Sequence, residues 1–168
     1  IIMADMSVTF VGKKLRSPLG VASHAVLNPG IGDSKTETEH LKKYADIPVG
    51  YVHTPFICPE EEHPKNMPSA FKFMNIRSRE PFAMEGLLVA AEAARIMCRL
   101  NPGLTMIEKL RENLPGDVAV IANMIGPSAD PEGWAAHCQK AQDAGADIIE
   151  MNVSCPIPAT EAKSVQAY

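Results

Sequence analysis

Cysteine pairs at metal-binding spacing are missing from this chain: Cys58, Cys98, Cys138 and Cys155 lie far apart, with no C-x-x-C among them. That spacing excludes a zinc knuckle and an iron–sulfur cluster within these residues, so the cysteines read as reduced thiols. The five histidines, His24, His40, His53, His63 and His137, include no H-x-x-x-H or H-E-x-x-H arrangement, so no metal site is expected. Long apolar runs are also lacking. VAVIA and DIIEMNV fall far short of the roughly 20 residues a membrane helix needs, and no basic-then-apolar leader precedes them. Nor does charge of one sign dominate: 20 acidic and 16 basic residues are interspersed, for a net charge of −4. The expectation is a cytoplasmic, soluble protein with neither membrane nor nucleic acid as partner.

What the chain does have is apolar content, 46% of 168 residues, enough to bury one domain's core. The opening SVTFVGKKLRSPLGVAS alternates on both sides of Gly12, which predicts a hairpin running into a strand at Pro18–Ala22. Ser34 and Glu37 have capping-box spacing, predicting a helix over Ser34–Tyr44, and Pro48–Thr54 follows as a second strand. From Pro55 to Pro81 the composition turns to Pro, Glu, Lys, Ser and Met, which reads as a long loop carrying one extended island, FKFMNI.

Strong helix formers predict a helix over Glu85–Leu100, stopped by Asn101-Pro102-Gly103, and a second helix after the Thr105/Glu108 capping box. Asp117–Asn123 has the near-continuous apolar pattern of a strand covered on both faces. Asp130-Pro131 suits the cap and first position of a helix through Ala144, with Trp134, Cys138 and Ala141 on its inner side. Gly145 closes it, and Asp147–Asn152 is the last strand.

Strand–helix alternation implies a parallel sheet, either open and doubly wound or a (β/α)8 barrel. No G-x-G-x-x-G follows the first strand, and polar residues gather after strand ends: Ser23 and His24, His53 and Thr54, Asn123, then Asn152 to Cys155. Both features favour the barrel. A barrel typically takes about 250 residues and only four strand–helix units are counted here, so residues 1–168 hold roughly half of one. An open half should pair with another polypeptide or belong to a longer gene product. Cys155, in MNVSCP after the last strand, sits where barrel catalysis occurs.

Four stretches, ADMSVTFVGKKLRSPLGVAS, FKFMNIRSRE, VAVIANMIGPSADPEGW and GADIIEMNVSCP, resemble the FMN-dependent dihydroorotate dehydrogenases and, more closely, the flavin domain of dihydropyrimidine dehydrogenases. The resemblance implies an FMN-binding half of a TIM barrel with an N-terminal β-hairpin, and an oxidoreductase acting on a CH–CH or C=C bond of a pyrimidine-like ring. It matches Cys155 to the thiol that moves a proton, and Asn75 and Asn152 to amides that hold the ring. Ala22 and Ser23 match backbone near the flavin, Thr54 a flavin contact, and Asn123 the third strand's end near the flavin. Reducing a C=C bond conjugated to a carbonyl needs a hydride at one carbon and a proton at the other, which a thiol supplies. Amide side chains offer donor and acceptor together, as a pyrimidine edge requires.

The sequence departs from that pattern at two places. His53-Thr54 stands where the family has Lys-Thr, replacing a permanent cation at the flavin by a titratable ring. Ile157-Pro158 replaces a polar residue and Gly after NVSCP. The FMN phosphate is normally gripped by loops after strands seven and eight, so the flavin is expected to be held jointly with the missing half. A partner bearing NAD(P)H or an iron–sulfur cluster is expected to supply electrons. The alternatives are a noncatalytic half-barrel subunit of a larger oxidoreductase complex and a non-flavin barrel lyase.

Overall fold

A two-residue turn sets the first local structure. Val11 and Gly12 both take positive φ, 49° and 78°, the backbone that joins two right-twisted strands most directly and that glycine adopts without steric cost. It connects β1 (Val8–Phe10) and β2 (Lys13–Leu15) as an antiparallel hairpin. The fold is that of a computed structural model, which describes residues 5–23, 46–60, 71–75, 87–91, 97–127 and 130–153. The helix expected over Ser34–Tyr44 lies outside them, as do His24, Cys155 and Ile157.

The strands that follow form a parallel sheet. β3 (Gly20–Val21) pairs with β4 (Tyr51–His53), β4 with β9 (Ala119–Met124), and β9 with β10 (Ile148–Met151). These four run in sequence order, as strands one to four of a barrel would, so the chain is α/β with half-barrel topology. All of β9 is buried, as a strand between two neighbours and two covered faces must be.

Register sorts the side chains. Val52, Val120, Ala122 and Met124 face helix α1 (Leu100–Asn113), packing with Met106, Ile107, Leu110 and Leu114 in one core. Each such fully buried aliphatic side chain contributes about 1.5–3 kcal/mol. The alternate positions, Tyr51, His53, Ile121, Asn123, Ile148 and Glu150, share the opposite, inner face. Helix α2 (Pro131–Asp143) then starts as its sequence predicts: the Asp130 side chain accepts a 3.0 Å hydrogen bond from the Gly133 N–H, with Pro131 following the cap.

Several expectations fail between Pro55 and Glu108. Phe56–Cys58 is a strand, β5, rather than the start of a loop, and it takes over from β4 beside β9 at Ile57↔Met124. Leu87–Ala91, expected within a helix, is strand β7, paired antiparallel with β6 (Phe71–Asn75). Helix propensity is a weak prior, and here pairing with a neighbouring strand overrides it. Met97–Arg99 is strand β8, parallel to β5, so Cys98 lies on a strand and not on a helix. Asn101-Pro102-Gly103 opens α1 instead of ending a helix, since a first turn has no use for the N–H that proline lacks, and Thr105 and Glu108 therefore lie inside α1 rather than forming a capping box at its start. Gly103 is there for closeness, since a Cβ would stand 2.8 Å from the Ile57 side chain.

Polar contacts close the N-terminal end of the sheet. Asp147 Oδ2 accepts from Arg111 Nη1 at 2.6 Å and from the Val120 N–H at 2.8 Å, while Oδ1 pairs with Lys13 of the hairpin. Arg111 also donates to the carbonyls of Leu114, Pro115 and Val118. One carboxylate thus ties hairpin, α1, β9 and β10 together, and holds the hairpin at the N-terminal end of the half-barrel strands. No helix among the described residues is long and apolar enough to cross a membrane.

Two measurements check this account. Asp147→Asn keeps the shape but removes the charge, and because both partners remain partly exposed the loss should be about 1–3 kcal/mol in urea unfolding; an unchanged midpoint would count against the clamp. Cys98 is buried, and burial first, then the Glu60 carboxylate, push its thiol up to about 12. At pH 8 only about one in ten thousand such thiols is ionised, so native alkylation followed by mass spectrometry should leave Cys98 unmodified until the protein unfolds.

Candidate functional site

At the opposite end of the sheet, the C-terminal tips of β3, β4, β9 and β10 bring together residues that are far apart in sequence. Ser23 follows β3 and donates from Oγ to the Thr54 carbonyl at 2.8 Å, and Ala22 stands exposed beside it. Thr54, at the end of β4, is fully buried. Its Oγ1 accepts from the Asn123 N–H at 2.9 Å and donates to the Pro55 carbonyl at 2.9 Å, while its own N–H reaches the Ile121 carbonyl. A hydroxyl is needed at this point because β4 ends here and β5 has not yet begun to pair. The threonine fills the gap in the ladder, satisfying a backbone donor that would otherwise be buried unpaired.

On the inner face, Asn123 is 3% exposed. It stands opposite Glu150 in the β9–β10 register, and its Nδ2 donates to Glu150 Oε1 at 2.7 Å. The other carboxylate oxygen, Oε2, lies 3.5 Å from His53 Nδ1. His53 packs against the Tyr51 ring in an edge arrangement, with centroids 5.4 Å apart. Among the described residues Asn123 Oδ1 is buried without a hydrogen-bond partner. Asn152 follows β10, is half-buried, and donates its backbone N–H to the Met124 carbonyl at 2.8 Å.

Below this cluster the inner face opens into a cavity of about 570 Å³, within the usual range for small-molecule sites. Hairpin residues Val8, Phe10 and Leu15 form one wall, Tyr51, Ile121 and Ile148 another, and His53 and Glu150 are its charged and titratable lining. The chemistry on offer is an apolar trough with a carboxylate and an imidazole in its lining, the carboxylate in turn hydrogen-bonded to the buried Asn123 amide.

Six of the eight residues singled out by sequence are therefore placed in full. Ala22, Ser23, His53, Thr54, Asn123 and Asn152 all lie at neighbouring strand ends, with Ser23, Thr54 and Asn123 joined by hydrogen bonds. Asn75 ends β6 in the separate two-stranded sheet, and Cys155 lies outside the described residues. Glu150 was not anticipated. Its signal was present in DIIEMN, where an acid breaks an apolar strand at the position alternating with Ile148 and Asn152. No set of three or more His, Cys, Asp or Glu among the described residues is arranged to hold a metal ion.

Thr54→Val preserves volume but strands the Asn123 N–H and the Pro55 carbonyl, and should cost about 1–3 kcal/mol. Thr54→Ser keeps the hydroxyl and should recover most of that in the same thermal or urea titration.

Two comparisons bear on what such a site does. No protein-family model matches the chain. Two curated proteins are similar to it at 25% identity over 152 residues: the NAD-dependent dihydropyrimidine dehydrogenase subunit PreA of Escherichia coli strain K12 and the subunit of the same name from Escherichia coli O157:H7. The aligned region covers 90% of this chain and 33% of each relative, so the chain spans about a third of the length of the curated relatives it matches. The similarity runs in the same direction as the motif resemblance, at the level of a dihydropyrimidine dehydrogenase subunit.

Proposed function

We propose that this chain is the strand-one-to-four part of an FMN-dependent oxidoreductase that interconverts a CH–CH and a conjugated C=C bond in a pyrimidine-like ring. The observation that supports this most is the meeting of Ser23, His53, Thr54, Asn123 and Asn152 at adjoining parallel strand ends, where barrel enzymes keep their reactive groups. Similarity to a dihydropyrimidine dehydrogenase subunit supports the same reading from outside the structure.

The residues present fit a flavin ring. Its edge alternates carbonyl and N–H groups, and the buried, unpartnered Asn123 Oδ1 is an acceptor in need of an N–H. Ala22, Ser23, His53 and Asn123 would hold the ring, with the buried Thr54 tying the strand ends that carry them. FMN, when bound, supplies the hydride carrier. Cys155 gives a proton to the ring carbon beside the carbonyl during reduction and takes it back in the reverse direction. Asn75 and Asn152 orient the pyrimidine by paired donor and acceptor contacts. His53 stands where the resemblance places a lysine beside the flavin.

The relatives are named as a subunit and as NAD-dependent. Both words support a partner polypeptide that completes the site and links it to a nicotinamide, directly or through an iron–sulfur cluster.

Purification of the full chain with its partner tests the reading. Visible flavin absorbance, released as FMN on denaturation, is expected together with NAD-linked turnover of a dihydropyrimidine. Cys155→Ala should keep the flavin and lower turnover about 10²- to 10⁴-fold, whereas undiminished turnover would remove Cys155 from the chemistry. A colourless complex that stays assembled would favour the noncatalytic subunit instead.

A further inference from the structure

Glu150 stands out because nothing in the hydrophobic packing calls for it. Its strand is otherwise apolar at the sheet positions, and its carboxylate is 46% exposed. Yet both of its oxygens are engaged by side chains from two other strands: Oε1 takes the Nδ2–H of Asn123 at 2.7 Å and Oε2 lies 3.5 Å from His53 Nδ1. An asparagine amide has two ends of nearly equal shape, and which end faces a ligand depends on its hydrogen bonds. A carboxylate only accepts, so it selects the NH2 end of Asn123 and turns Oδ1 away. That oxygen is buried and unpartnered among the described residues, so a donor that reaches it gains a hydrogen bond the protein leaves unmade.

We infer that Glu150 is a positioning residue that locks the Asn123 amide with its oxygen toward the ligand, making the site selective for a ring N–H donor. The inference rests on the reading above and adds a rule to it. Cyclic imides and ureides qualify; their N-methylated forms do not. Two sources carry that chemistry, the flavin ring and a pyrimidine substrate, and they are distinguishable by which one is methylated.

The experiment compares dissociation constants, on the full chain with its partner, for FMN against 3-methyl-FMN and for uracil against its N-methyl derivatives. Wild type should disfavour one methylated series by about 10- to 100-fold, the range a single unpaired buried acceptor provides. The series that shows the penalty identifies the ligand at Asn123. Glu150→Leu frees the amide to turn its NH2 end, and the penalty should shrink to less than about 3-fold. Glu150→Gln still accepts from Nδ2 through its own amide oxygen and should retain the penalty. A purely structural role would change affinities without changing these ratios.

Melting curves show whether each variant is folded, which the half-exposed position of Glu150 favours. If wild type binds both members of each pair equally, or if Glu150→Leu keeps the full penalty while folded, the inference is overturned and the proposed function stands. If neither flavin nor pyrimidine binds at all, both fall.

Discussion

The carboxylate of Asp147 is the constraint on which the arrangement depends. It sits at the start of β10 and is shared by the Arg111 guanidinium, the Lys13 ammonium and a backbone N–H of β9. A lone carboxylate taken out of water is costly, but two cations and an amide donor offset that cost. Because the donors come from the hairpin, a helix and a neighbouring strand, the contact fixes relative positions that apolar packing alone leaves free to slide. Register follows from it: with Asp147 held at Val120, Ile148 must face Ile121 and Glu150 must face Asn123.

Register in turn decides chemistry. Shifting β10 by one residue would turn Glu150 toward the helix-packed core and away from Asn123, because strand side chains alternate. The same holds for β4, where Val52 belongs to the core and His53 to the inner face. The polar cluster is thus a consequence of an ion-pair clamp at the far end of the same strands. The inner face carries its apolar layer beside the hairpin and its polar layer at the rim, so one sheet provides both a floor and a reactive edge.

Much of this was legible in the sequence, and the limits have physical causes. The hairpin was readable because Gly12 marks a turn between alternating runs, and α2 because Asp130-Pro131 is a cap with a mechanism. The strands β9 and β10 were readable because apolar runs of that length between helices have few other uses. Within Pro55 to Gly103 the extended island FKFMNI was legible as β6, whereas the rest was misread where residues carry conflicting signals. Leu87–Ala91 has helix-forming composition but a strand partner at Phe71–Asn75, and that partner is invisible to a local reading. Asn101-Pro102-Gly103 looks like a stop, although proline serves a first helical turn equally well. At the site, single residues after strand ends were found, whereas Glu150 within a strand was not, since its role arises only when Asn123 and His53 are brought beside it.

The pairing of β5 with β8 has a bearing on how such a chain tolerates change. Phe56 lies against Met97 and Cys58 against Arg99, and an ion pair at 3.8 Å joins Arg99 to Glu60. The long segment between them therefore leaves and re-enters the sheet at adjoining strands. When the two ends of an insertion are already held side by side, lengthening it adds only about 0.6 kcal/mol of closure entropy per doubling. Changes of length between β5 and β8 should therefore cost the parallel sheet little, because its register is held separately by the clamp at Asp147.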